Sequence, residues 1–68
     1  NKKLVERSKN IIMTICEVDY NQAGELLSRS NGNVKLAIMM GKSKLDKQSA
    51  LELLNKADGK IRQALKLI

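Results

Sequence analysis

Apolar positions along the chain recur at helical intervals of three and four, in short runs separated by polar or glycine-containing breaks. The spacing predicts a first helix over about Lys2 to Ile15, capped by Asn1. Leu4, Ser8, Ile11, Ile12 and Ile15 make its expected inner stripe, with Lys3, Arg7 and Asn10 outward. Cys16-Glu17-Val18 is the connection. Asp19 then caps a second helix, Gln22 completes a capping box, and Val18 and Ala23 stand at the hydrophobic-staple positions. Ala23, Leu26, Leu27 and Ser30 form its buried stripe, and Gly32 ends it in the left-handed conformation.

The stretch Asn31 to Gly41 is apolar on nearly every side. Val34, Ala37 and Ile38 fall at i, i+3 and i+4, Leu36, Met39 and Met40 fill the other faces, and only Lys35 is clearly polar. A helix apolar all round is enclosed by other helices, so this one is expected at the centre of the fold. An apolar strand is the weaker alternative, because Ala, Leu and Met favour helix. Gly41-Lys42-Ser43-Lys44 is the expected turn after it.

From there the sequence repeats at an offset of 27 without a gap. Asp19, Ala23, Glu25, Leu26, Leu27, Gly32 and Ala37 return as Asp46, Ala50, Glu52, Leu53, Leu54, Gly59 and Ala64. What recurs is the cap, the buried stripe and the turn glycine, which a helix–turn–helix unit needs in order to form and pack. Leu36 and Met39 become Gln63 and Lys66, as expected if the fifth helix closes the stack. The fold class is all-α, with five short helices in a single domain. A three-helix unit over 1–41 is followed by a second helical hairpin over 42–68. The expected core comprises Val34, Leu36, Ala37, Ile38, Met39, Leu26 and Leu53, with Gly32 and Gly59 at the turns.

Composition agrees. The 68 residues include no proline, no Phe or Trp and one Tyr, which suits aliphatic packing of short helices in one small domain. Without an initiator methionine, the chain is expected to be part of a longer one. The single Cys16 forms no internal disulfide, and with no histidine neither a metal site nor any other cofactor is expected. No membrane span or signal peptide is expected either, and a reducing cytoplasm is the natural compartment. The net charge is +6, and residues 35–68 hold eight Lys/Arg against three Asp/Glu. Such a balance can attract a polyanion, but these lysines are scattered among acids without interleaved aromatics, which favours a solvated surface.

Catalysis needs converging groups, and few are offered. Cys16 lies between Ile15 and Val18 with no base close in sequence, so it reads as a small buried apolar residue. Asp19 and Asp46 read as caps, and Glu25 and Glu52 as solvated helix residues. A DNA-binding helix–turn–helix at Lys44, Lys47, Lys56, Lys60, Arg62 and Lys66 is a minor alternative. Only Arg62 and Gln63 stand where base edges would be read, so nucleic acid is not the expected partner.

Leu26-Leu27, Gly32-Asn33-Val34 and Ala37-Ile38 resemble helices two and three of the ubiquitin-associated (UBA) fold. Ubiquitin binding is not implied, because Cys16-Glu17-Val18 replaces the Met-Gly-Phe/Tyr loop of ubiquitin-binding members. A closer resemblance covers essentially the whole chain. Asn1-Lys2-Lys3-Leu4-Val5-Glu6-Arg7, Gly32-Asn33-Val34-Lys35-Leu36-Ala37-Ile38 and Leu53-Leu54…Gly59…Ile61-Arg62…Ala64-Leu65 are similar to the C-terminal region of bacterial N-acetylmuramic acid 6-phosphate etherases. The resemblance implies a cytoplasmic, homodimeric parent lyase of cell-wall sugar recycling, whose catalytic residues lie in an upstream sugar-isomerase (SIS) domain. None of them maps here. As an accessory element this domain would pack on the SIS core or the dimer mate. Lys2, Lys3 or Arg7 would then approach the phosphosugar or the joint, and the alternative for these three is solvent-exposed charge. The competing functional reading is an independent UBA-type interaction module.

Overall fold

A computed structural model describes residues 2–68, with side chains from residue 3 onward. The expected cap Asn1 and the side chain of Lys2 lie outside the described residues. Five helices follow one another: α1 (Lys2–Cys16), α2 (Tyr20–Arg29), α3 (Val34–Ser43), α4 (Lys47–Lys56) and α5 (Ile61–Lys66). No strand occurs among the described residues, so the all-α class read from the periodicity holds.

Local chemistry starts three of these helices. Asp19 Oδ1 accepts from the Gln22 N–H at 2.7 Å, and Gln22 Oε1 accepts from the Asp19 N–H at 3.1 Å, a reciprocal capping box. Asn33 caps α3 by accepting from the Leu36 N–H at 3.1 Å. Asp46 caps α4 through the Ser49 N–H at 2.9 Å. Hydrogen bonds from the Ser49 side chain and backbone hold the Asp46 carboxyl below the usual carboxylate range.

At the end of α2, Gly32 does not act alone. Asn31 turns first, with φ 57°, and Gly32 follows at φ 81°. The Gly32 N–H donates to the Leu27 carbonyl at 2.8 Å and the Asn31 N–H to Ser28 at 3.0 Å, satisfying carbonyls that the helix leaves open. Asp58 and Gly59 repeat this after α4, donating to Asn55 and Leu54 at 3.2 and 2.7 Å.

The turn expected at Gly41 begins later. α3 runs on to Ser43, and left-handed Lys44 (φ 60°) ends it. Gly41 sits inside the helix, where a Cβ would lie 2.7 Å from Cys16 Sγ and 3.0 Å from Leu26 Cδ1. Its missing side chain admits α1 and α2 to close approach.

α3 is the centre. Ala37 and Ile38 are buried on one side with Ile12, Ala23 and Leu27. Leu36, Met39 and Met40 are buried on the other with Ala50, Leu54, Ala57 and Ala64. Val34, Leu26 and Leu53 pack half-buried at the margins of these two clusters. On α5, Gln63 and Lys66 are exposed.

The inner stripe of α1 differs from expectation. Ile12 is fully buried, with Met13 and Cys16 half-buried beside it, whereas Leu4, Ile11 and Ile15 are exposed and Ser8 is only half-buried. Successive residues lie roughly 100° apart around a helix, so 4, 11 and 15 share a face well away from that of 13 and 16. α1 is apolar on both, and its contact with α2 and α3 selects the second.

The repeat governs three-dimensional detail. Ala23, Leu27, Ser30 and Ala37 are buried, as are Ala50, Leu54, Ala57 and Ala64 at the matching positions. The offset also reaches back into α1. Ile12 and Met39 are both 0 % exposed, and Glu17 and Lys44 are both left-handed, with φ of 56° and 60°. Ile12 and Met13 meet the α2–α3 hairpin as Met39 and Met40 meet the α4–α5 hairpin.

Candidate functional site

Of the three sequence candidates, Lys3 and Arg7 are exposed and line one open hollow with Glu6 and Asn10. All four belong to α1, so the hollow is the surface of one helix. Glu6 is tied down from α2. The Tyr20 hydroxyl donates to Glu6 Oε1 at 2.7 Å and lies 3.0 Å from Oε2. Lys9 Nζ donates to the same hydroxyl oxygen at 3.2 Å and stands 4.5 Å from the centre of the Tyr20 ring. This cluster joins helices from residues 6, 9 and 20, and no local motif announces it.

Cys16 Sγ donates to the Ile38 carbonyl at 3.6 Å. Burial pushes the thiol up, and the positive charge of Lys42 opposes this only in part. A thiol held protonated is a poor nucleophile. Glu25 and Glu52 are both exposed, and Glu25 lies 4.0 Å from Arg29 one turn away. Lys44, Lys56, Lys60, Arg62 and Lys66 are exposed, and Lys47 is half-buried. Arg62 and Gln63 occupy a helix of only 6 residues.

Among the described residues, no group of three His, Cys, Asp or Glu is arranged to hold a metal ion. No described helix is long and apolar enough to cross a membrane. What these residues present is a small all-α domain of stacked helical hairpins, with an extended surface along α1.

Over its full length the chain matches the C-terminal region of N-acetylmuramic acid 6-phosphate etherases. The etherase of Clostridioides difficile (strain 630) is 50 % identical over 68 residues, all of this chain and 22 % of that protein. That of Pasteurella multocida (strain Pm70) is 44 % identical over the same 68 residues, 23 % of its length. That of Staphylococcus saprophyticus is 36 % identical over 66 residues, 97 % of this chain and 22 % of the relative. The chain thus spans less than a quarter of the curated relatives it matches. No family model matches the chain. No solved structure matches it either.

Proposed function

We propose that these residues form a non-catalytic accessory domain at the C-terminus of an N-acetylmuramic acid 6-phosphate etherase. Such a lyase, acting in the cytoplasm, cleaves the D-lactyl ether of its substrate with water to give N-acetylglucosamine 6-phosphate and D-lactate. This serves the recycling of cell-wall amino sugars. The observation carrying the proposal is the uninterrupted similarity of the whole chain to the etherases' C-terminal region, 50 % identical in one relative. In this reading the reacting groups reside in the upstream SIS domain. The helical domain packs on that domain or on the homodimer mate, and Lys2, Lys3 and Arg7 belong to the contact. The compact packing of α1 against α2 and α3 supports a UBA-type unit at the start of the domain, used here for an internal contact.

The test is removal of the domain from a full-length etherase. Lactate release and oligomeric mass are then measured on the truncated and intact enzymes. The expected result is a loss of turnover of at least tenfold, or a change of assembly. Unchanged kinetics and mass would reject the accessory role.

A further inference from the structure

The internal repeat assigns a use to the outward face of α1. In α3, positions 34, 37, 38 and 41 receive the preceding elements. Ala37 and Ile38 are buried with residues of α1 and α2, Val34 packs beside them, and Gly41 meets Cys16. The positions 27 residues earlier are Arg7, Asn10, Ile11 and Thr14. These lie on α1, whose other side meets α2 and α3 as α3 meets α4 and α5.

Of these four counterparts only Ile11 is apolar, and it stands at the edge of an exposed aliphatic strip on α1. Ile11, the counterpart of buried Ile38, is 40 % exposed, and Ile15 beside it is 39 % exposed. Leu4, at 61 %, prolongs the strip by two turns. A shallow hollow runs along it, lined by Arg7, Asn10, Ile11, Thr14 and Ile15. The opposite end of the stack is closed differently, with Gln63 and Lys66 exposed where α3 has buried Leu36 and Met39. The α5 end thus loses two apolar side chains that α3 buries, while α1 keeps an exposed aliphatic strip around Ile11.

We propose that the Leu4–Ile11–Ile15 face of α1 seats an apolar helix from the part of an etherase chain that precedes α1 in the same polypeptide. The inference rests on the etherase reading, and three observations choose this occupant. The repeat places preceding elements at Ile11 and at Arg7, Asn10 and Thr14 alongside it. The region matched is C-terminal in the relatives. Most of the relatives' length, beyond the 22 % matched in C. difficile, lies outside it. The incoming helix lays an aliphatic stripe along Ile11 and Ile15 and offers Arg7 a carboxylate or carbonyl oxygen.

The experiment uses the full-length etherase, with a benzophenone amino acid placed at Ile11 and, as control, at Leu51, which is similarly exposed on α4. Isotopically heavy and light subunits are mixed, irradiated and mapped by mass spectrometry. The expected result is cross-linking from position 11 to residues upstream of α1 within one polypeptide, at least tenfold above position 51. Yield equal to the control, or products joining heavy to light subunits, would overturn the proposal. In a parallel measurement, Ile11→Glu lowers the Tm of the full-length enzyme by several degrees and Leu51→Glu leaves it in place. Equal shifts would also overturn it. Domain deletion tests the accessory role separately, so a silent probe beside a damaged deletion enzyme rejects this face alone.

Discussion

Cys16 and Gly41 meet side chain to backbone, with the thiol where a Cβ on Gly41 would need to be, 2.7 Å away. The contact brings the end of α1 onto the last turn of α3, and the thiol also donates to the Ile38 carbonyl. Gly41→Ala improves helix propensity by about 1 kcal/mol. Overlap with a short, helix-anchored side chain costs about 1–3 kcal/mol and outweighs it. The expected result in urea denaturation is net destabilisation that largely disappears in the Cys16→Ala background. Additive effects of the two substitutions would refute the contact.

Gly24 makes the opposite case. A Cβ there meets only the far end of the Lys9 side chain, at 3.3 Å from Cε, and that end can move. Gly24→Ala is expected to raise stability by about 0.5–1 kcal/mol through helix propensity and reduced freedom of the unfolded chain. A measured loss would show that Lys9 is held in place over Tyr20.

Met39 is fully exchanged from water for contacts with α4 and α5. Met39→Lys, like Leu36→Lys, buries an unpaired ammonium in a domain with little stability in reserve, at a cost of several kcal/mol (roughly 3–5). Circular dichroism melting should show a largely unfolded protein at room temperature. The matching Lys66→Met on α5 should leave the melting temperature nearly unchanged, since that position is exposed.

Asp19→Ala removes the side-chain acceptor of the Gln22 N–H and leaves the other half of the capping box, the residue-19 N–H donating to Gln22 Oε1. The expected loss is about 1 kcal/mol. Asp19→Asn, which keeps an acceptor, should recover most of it in the same denaturation experiment.

Cys16 carries a pH signature. Its folded thiol keeps its proton to higher pH than the unfolded one, because burial opposes ionisation. Its contribution to stability is therefore complete below the ordinary thiol range and is lost as pH rises through the folded value. Ellman's reagent at neutral pH should react with Cys16 more slowly than with a free thiol, and Cys16→Ala should flatten the alkaline decline in stability. Reaction as fast as a free thiol's would contradict the half-buried position.

The legible features were those written within a few neighbouring residues. Asp19 with Gln22, and the recurrence of Leu26-Leu27 and Gly32 as Leu53-Leu54 and Gly59, depend on local bonding and declare themselves. The side of α1 that turns inward does not. Leu4, Ile11 and Ile15 satisfy helical periodicity as well as Ile12, Met13 and Cys16 do, and only docking on α2 and α3 separates the two sets. Gly41 is ambiguous for a related reason, since glycine stops a helix in many settings and here admits another helix. The contact of Tyr20 with Glu6 and Lys9 crosses 14 and 11 positions of sequence, and Tyr20 alone carries no sign of it.

The exchange of Leu36 and Met39 for Gln63 and Lys66 gives the molecule a direction of growth. A further 27-residue unit packing on α5 would find exposed Leu67 and Ile68, but an amide and an ammonium where its predecessor rests on leucine and methionine. Two side chains thus withdraw from α5 the footing that Leu36 and Met39 supply on α3. Restoring both to their α3 identities would turn a stopper into a sticky end, along which separate molecules could stack head to tail.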